Sequence, residues 1–168
     1  DIMGTSEATK HNAFTFNNEM KWLSYKIDHR LDLFFKSKNS QLEEVLPPEI
    51  KDDPSNYANF IRSYCTDEVE RIIIVMALAN YFKPELFDRF LIKNKGLGKN
   101  FTEFGGKTSD KTENIFVPTL RTVAFILFGD QIPDYFRLQF YFDDNHFFKI
   151  QNAVMLNKES QSILDATF

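Results

Sequence analysis

Residues 96–129, GLGKNFTEFGGKTSDKTENIFVPTLRTVAFILFG, constrain the fold more than any other stretch, because a generic core needs no such mixture of small, charged and aromatic residues. The Gly105–Thr108 tetrapeptide GGKT suggests a phosphate-binding loop, but that motif requires a glycine where this chain has Phe101. It also requires a buried strand before the loop and an apolar helix after it, so that backbone N–H groups converge on phosphate. Here LIKNKGLGKN precedes and SDKTEN follows, both of polar loop composition. A nucleotide loop is excluded.

Apolar helical patterns lead up to this stretch. Met20, Leu23, Ile27, Leu31 and Phe34 recur at steps of three and four, predicting a helix from Asn17 to about Lys38. Asn17 or Asn18 is positioned to cap it, Glu19 suits the positive end of its dipole, and Trp22, Tyr25 and Phe35 widen its apolar face. Residues 1–13 are small and polar and are expected to be ordered only in part. Pro47, Pro48 and Pro54 mark 37–56 as an acidic surface linker. The expected organisation is therefore an N-terminal helix and linker over 1–56, followed by a compact unit over 57–168.

Within that unit Tyr57–Tyr64 reads as a short amphipathic helix. Thr66 is expected to cap a buried helix whose run VERIIIVMALANYF covers 69–82. Pro84 opens a shorter helix with Leu86, Phe87, Phe90 and Leu91 on its apolar face. Residues 93–117 read as a loop, locally basic through Lys93, Lys95, Lys99, Lys107 and Lys111. Thr119 caps a helix over Leu120–Phe128, which Gly129 closes. A further helix is expected from near Pro133, and HFFKI (146–150) with AVMLN (153–157) reads as a β-hairpin. The fold class is mainly α with a small β-hairpin, in the order of a winged helix with an added N-terminal helix.

Composition narrows the function. A net charge of −4 disfavours a general nucleic-acid coat, and a single cysteine, Cys65, rules out an internal disulfide or a cysteine-based zinc site. No apolar run is long enough to span a membrane, and the first ten residues lack the regions of a signal peptide. A reducing, cytoplasmic setting fits best. The chain begins with Asp1, so a processed product or a fragment is expected. Nineteen phenylalanines imply a core of large flat side chains, some of them lining grooves.

Particular phrases sharpen the picture. ANYFKPELFDRFL, then FTEFGG, then FVPTLRTVAFILFG, then DDNHFFKIQNAVML resembles the variant winged-helix domain that precedes the motor module in a group of bacterial AAA-family ATPases. The resemblance covers residues 66–165, and FTEFGG with the downstream Pro-Thr helix is its most specific part. It implies a non-catalytic domain that links a motor to a protein partner or to its own ATPase module, with oligomerisation through the full-length ATPase. The chain departs from that group at Leu120-Arg121, where the related proteins tend to carry Gly-Glu. It contains no complete Walker A and no apolar strand ending in Asp-Glu, so hydrolysis by this chain alone is not expected.

No constellation for chemistry stands out. Cys65, His11, His29 and His146 share no local signature for nucleophilic catalysis. Asp143, Asp144 and His146 read as a polar turn rather than a metal site, and no cofactor is expected. The candidate interaction loop is Phe101, Glu103, Phe104, Gly105, Gly106 and Lys107. In one reading its aromatics anchor a partner while Glu103 and Lys107 set polarity; in the other both phenylalanines pin a long loop to the core. The alternative function is a DNA-binding winged helix. Its recognition helix would be LRTVAFILF (120–128), which offers only Arg121 and Thr122 to base edges.

Overall fold

A computed structural model describes residues 6–36, 43–109 and 112–142. The expected hairpin at 146–157, the Asp143-Asp144-His146 turn and the 158–168 tail lie outside the described residues. The chain divides into two units, Asp1–Val75 and Met76–Phe168. Both are mainly helical, and short antiparallel strand pairs occur in the second.

The first unit is built on α1, which runs from Glu7 to Phe35. It starts ten residues before the expected Asn17. Ser6 caps it, its Oγ accepting the Thr9 N–H at 3.2 Å, and Glu7 lies in the first turn. Distant contacts hold this early part: Asn12 Oδ1 accepts the Tyr57 N–H at 3.0 Å, and the Thr15 hydroxyl donates to the Asp53 carboxylate. The expected stripe is buried at Met20, Leu23, Ile27 and Leu31, joined by Trp22, whereas Phe34, Phe35 and Tyr25 are exposed. Glu19 is not a dipole residue. It sits mid-helix and fully buried.

Residues 43–55, the described part of the expected 37–56 linker, lie mostly at the surface but are stitched down through their backbone. Prolines deny this segment a regular ladder, so side chains on helices satisfy its carbonyls instead. Trp22 Nε1 donates to Val45 O at 3.3 Å, Arg71 to Pro48 O at 2.9 Å, and Arg62 to Ile50 O. Ile50 is buried. Ser55 then caps α2 (Asn56–Tyr64) by accepting the Ala58 N–H at 3.0 Å. Burial raises the Asp53 pKa, but hydrogen bonds from Thr15 and Ser55 outweigh it and hold the carboxyl below its ordinary range.

Helix α3 spans Glu68–Phe82 and passes through the boundary between the units. Asp67, not Thr66, supplies its cap: Asp67 Oδ1 accepts the Glu70 N–H at 2.9 Å. Glu70 in return accepts the Thr66 N–H at 2.8 Å. The Ile72–Met76 run is fully buried or nearly so, as its length and apolarity predict.

In the second unit Pro84–Leu91 forms a 3-10 helix rather than an α-helix. Three residues per turn put Phe87 and Phe90 on one side, and both are completely buried. The expected loop 93–117 carries four strands. β1 (Lys93–Asn94) pairs with β2 (Lys99–Asn100), and β3 (Lys107–Ser109) pairs with β4 (Thr112–Val117), both antiparallel. The β1–β2 turn is organised by Asn94, whose side chain accepts the Gly96 N–H at 3.0 Å and whose carbonyl accepts the Gly98 N–H at 2.8 Å. Helix α4 (Leu120–Phe128) ends at Gly129, and α5 (Ile132–Phe140) follows, as the sequence predicts.

Candidate interaction surface

The FTEFGG phrase folds as a plug. A 3-10 turn over Thr102–Phe104 drives Phe104 into a cluster of aromatic rings, with centroids 5.3 Å from Phe90 and 4.9 Å from Phe125. Phe90 also meets Phe116 at 5.1 Å, and Phe101 stacks on Phe104 at 5.2 Å. These separations match those favoured by aromatic pairs. The two glycines then let the backbone turn away where side chains cannot fit. Gly105 has φ 63° and ψ −141°, a conformation essentially confined to glycine. A Cβ there would lie 2.7 Å from Arg121 Cβ and 2.9 Å from Thr119 Oγ1.

Thr119 joins the plug to α4. Its hydroxyl oxygen accepts the Gly106 N–H at 3.1 Å and also the N–H at the third position of α4. The Thr122 hydroxyl closes the box by accepting the Thr119 N–H at 3.1 Å. FTEFGG and the Pro-Thr helix, the two most specific phrases of the sequence, are thus one hydrogen-bonded structure. Thr119→Ala is expected to cost about 2 kcal/mol, since it removes a cap and orphans a second donor. Thr119→Ser should recover most of that loss in urea denaturation; equal destabilisation by both would show that the hydroxyl is not what matters.

The six candidate residues therefore separate. Phe104 is fully buried, while Phe101, Gly105 and Gly106 are half-buried, and only Glu103 and Lys107 face outward. Immediately ahead in the chain, the β1–β2 hairpin presents exposed Lys93, Lys95 and Lys99 together with Leu97, 67% exposed at the turn. Sequence reasoning took these lysines as part of a loop. The Asx-type turn at Asn94 and Gly98 is the local signal that could have marked a hairpin.

Helix α4 is buried at Leu120, Thr122, Val123, Ala124, Phe125 and Ile126. Arg121, half-buried, lays its guanidinium 5.9 Å from the centre of the Tyr135 ring. The first unit holds a polar cluster that the sequence did not disclose. Arg71 pairs with Glu19 through two guanidinium nitrogens, Tyr57 donates to Glu19 Oε2 at 3.0 Å, and the Trp22 ring lies 5.1 Å from the guanidinium. Burial and the Glu19 carboxylate both raise the Tyr57 pKa, so its hydroxyl stays protonated and donating.

Cys65 lines a cleft of about 240 Å³ together with Pro47, Ile61, Arg62 and Arg71. Burial, followed by the Glu70 carboxylate, pushes its thiol up to about 12, so the neutral thiol prevails at physiological pH. Among the described residues no three His, Cys, Asp or Glu side chains gather as a metal site, and no helix is long and apolar enough to cross a membrane.

No family model, curated protein or solved structure matches the chain.

Proposed function

We propose that this chain is a non-catalytic protein-interaction module, the winged-helix-like domain that precedes the motor of a bacterial AAA-family ATPase, and that it acts in the cytoplasm. The phrases FTEFGG and FVPTLRTVAFILFG supply the family reading. The observation that carries the functional one is that α4 is buried while the β1–β2 hairpin is exposed and cationic. A helix whose side chains fill a core offers nothing to a major groove, which favours a protein partner over the alternative of sequence-specific DNA binding. The hairpin offers an apolar tip, Leu97, flanked by Lys95 and Lys99. Such an apolar centre with a charged rim suits an acidic protein surface.

The test uses the purified chain, a AAA motor module encoded with it, and labelled duplex DNA across a salt series. Binding to the motor module, weakened at least tenfold by Lys95→Glu with Leu97→Ser, is the expected result, with no ATP hydrolysis by the chain alone. Unchanged motor affinity in that variant would remove the hairpin from the interface. Salt-sensitive, sequence-preferring duplex binding without motor binding would establish the DNA alternative instead.

A further inference from the structure

The outward face of α1 carries a pattern that complements itself when turned end for end. Phe14, Lys21, Tyr25, Asp28 and Phe35 fall within an arc of about 80° on the helix, opposite the buried Trp22, Leu23, Ile27 and Leu31. Phe14 is 68% exposed and Tyr25 61%, and Lys21 and Asp28 are exposed as well. Phe35 meets the Phe34 ring edge-on at 5.0 Å and still keeps 48% of its surface in solvent. Positions 14 and 35 are equidistant from the midpoint between Ser24 and Tyr25, and so are positions 21 and 28. The stripe lies wholly in the first unit and is independent of the hairpin reading.

That symmetry identifies the occupant. A second copy of α1 laid antiparallel, with a two-fold axis crossing between Ser24 and Tyr25, sets Lys21 of each copy against Asp28 of the other. Phe14 then meets Phe35 at both ends, and the two Tyr25 rings flank the axis. An isologous contact needs one self-complementary patch, which this stripe provides. A parallel pair would instead set Lys21 against Lys21 and Asp28 against Asp28, so the charges also select the direction. Within one copy Lys21 and Asp28 stand about 10 Å apart along the helix, beyond the three- and four-residue spacings at which side chains pair. We propose that the chain forms a two-fold dimer by antiparallel packing of α1 along this stripe.

Area sets the strength of the contact. The stripe is about 32 Å long. At these exposures its three aromatic side chains offer roughly 250–450 Å² per copy. A standard specific interface takes about 800 Å² from each partner, so even with the intervening polar surface this one sits at the small end. The dimer is therefore weak and reversible, and its population rises with protein concentration.

Sedimentation velocity of the whole chain, from micromolar to submillimolar concentration, tests this. The expected result is a monomer–dimer equilibrium. Lys21→Glu and Asp28→Lys, each alone, should weaken it at least about tenfold, because each sets like charges together twice across the axis. The two substitutions combined restore opposite pairs and should recover the association of the natural chain, a rescue that a merely structural role would not produce. Tyr25→Cys in a Cys65→Ala background should give a disulfide-linked dimer on mild oxidation. Phe14→Cys should not, since antiparallel packing separates the two copies of that position by about 30 Å. A chain that stays monomeric throughout the series would overturn the proposal and leave the face to a different protein. A dimer that tolerates both single charge changes, or that cross-links at position 14 rather than 25, would overturn it as well.

Discussion

Gly106→Ala is expected to destabilise the second unit by about 3 kcal/mol, a large loss for adding one methyl group. Two separate effects contribute. The residue has φ 78°, where a Cβ adds about 1–2 kcal/mol of backbone strain. The new methyl would also fall within the van der Waals envelope of the Phe116 ring at Cζ and Cε2. That ring cannot swing away freely, because Phe90 lies against it at 5.1 Å. Overpacking of this kind typically costs about 1–3 kcal/mol. Gly98 provides the control: its φ is 64°, but nothing lies within 4 Å of the position its Cβ would take. Gly98→Ala should therefore show the backbone strain alone, about 1 kcal/mol. Urea denaturation of both variants separates the effects, and equal losses would refute the packing argument.

The same comparison shows what the sequence could reveal. The glycine pairs announced turns, and the apolar runs at 69–82 and 120–128 announced buried helices, because these signals are local. Phe101 and Phe104 are the same residue type, three apart, flanking Glu103. Local pattern cannot tell which is an anchor for a partner and which is core. The positions of Phe90 and Phe125 decide it, and those come from elements on either side of the loop. The strands of β1 and β2 are two residues each, shorter than any alternation a sequence window can detect.

The early start of α1 was hidden for a related reason. Residues 7–16, EATKHNAFTF, show no apolar stripe, and contacts of Asn12 and Thr15 to residues 38–45 positions away stabilise them. Helix formation there is set by tertiary contacts more than by propensity. The anchoring of the expected 37–56 linker was hidden in the same way. Prolines correctly forecast irregular backbone, but irregular backbone can still be anchored by an arginine and a tryptophan from elsewhere in the chain. Glu19 and Arg71 stand 52 positions apart, so no spacing rule joins them.

Arg71→Met is expected to be the most damaging substitution in the first unit, at about 4 kcal/mol. Glu19 is fully buried, and Arg71 is the cation that neutralises it. Removing one member of a buried pair leaves an uncompensated charge, which typically costs about 3–5 kcal/mol. The Tyr57 hydroxyl remains as a donor, but one neutral hydrogen bond does not replace a two-nitrogen ion pair. Pro48 O loses its donor as well, and the Trp22 face loses the guanidinium beside it. Arg71→Lys should be only partly protective, because an ammonium cannot reproduce the planar fork. Glu19→Leu combined with Arg71→Met should lie within about 2 kcal/mol of the natural chain, since two apolar side chains eliminate the buried charge altogether. A double-mutant cycle in urea measures this coupling directly. Losses that simply add would mean that Glu19 and Arg71 act independently, and the ion pair would then not organise the helices around it.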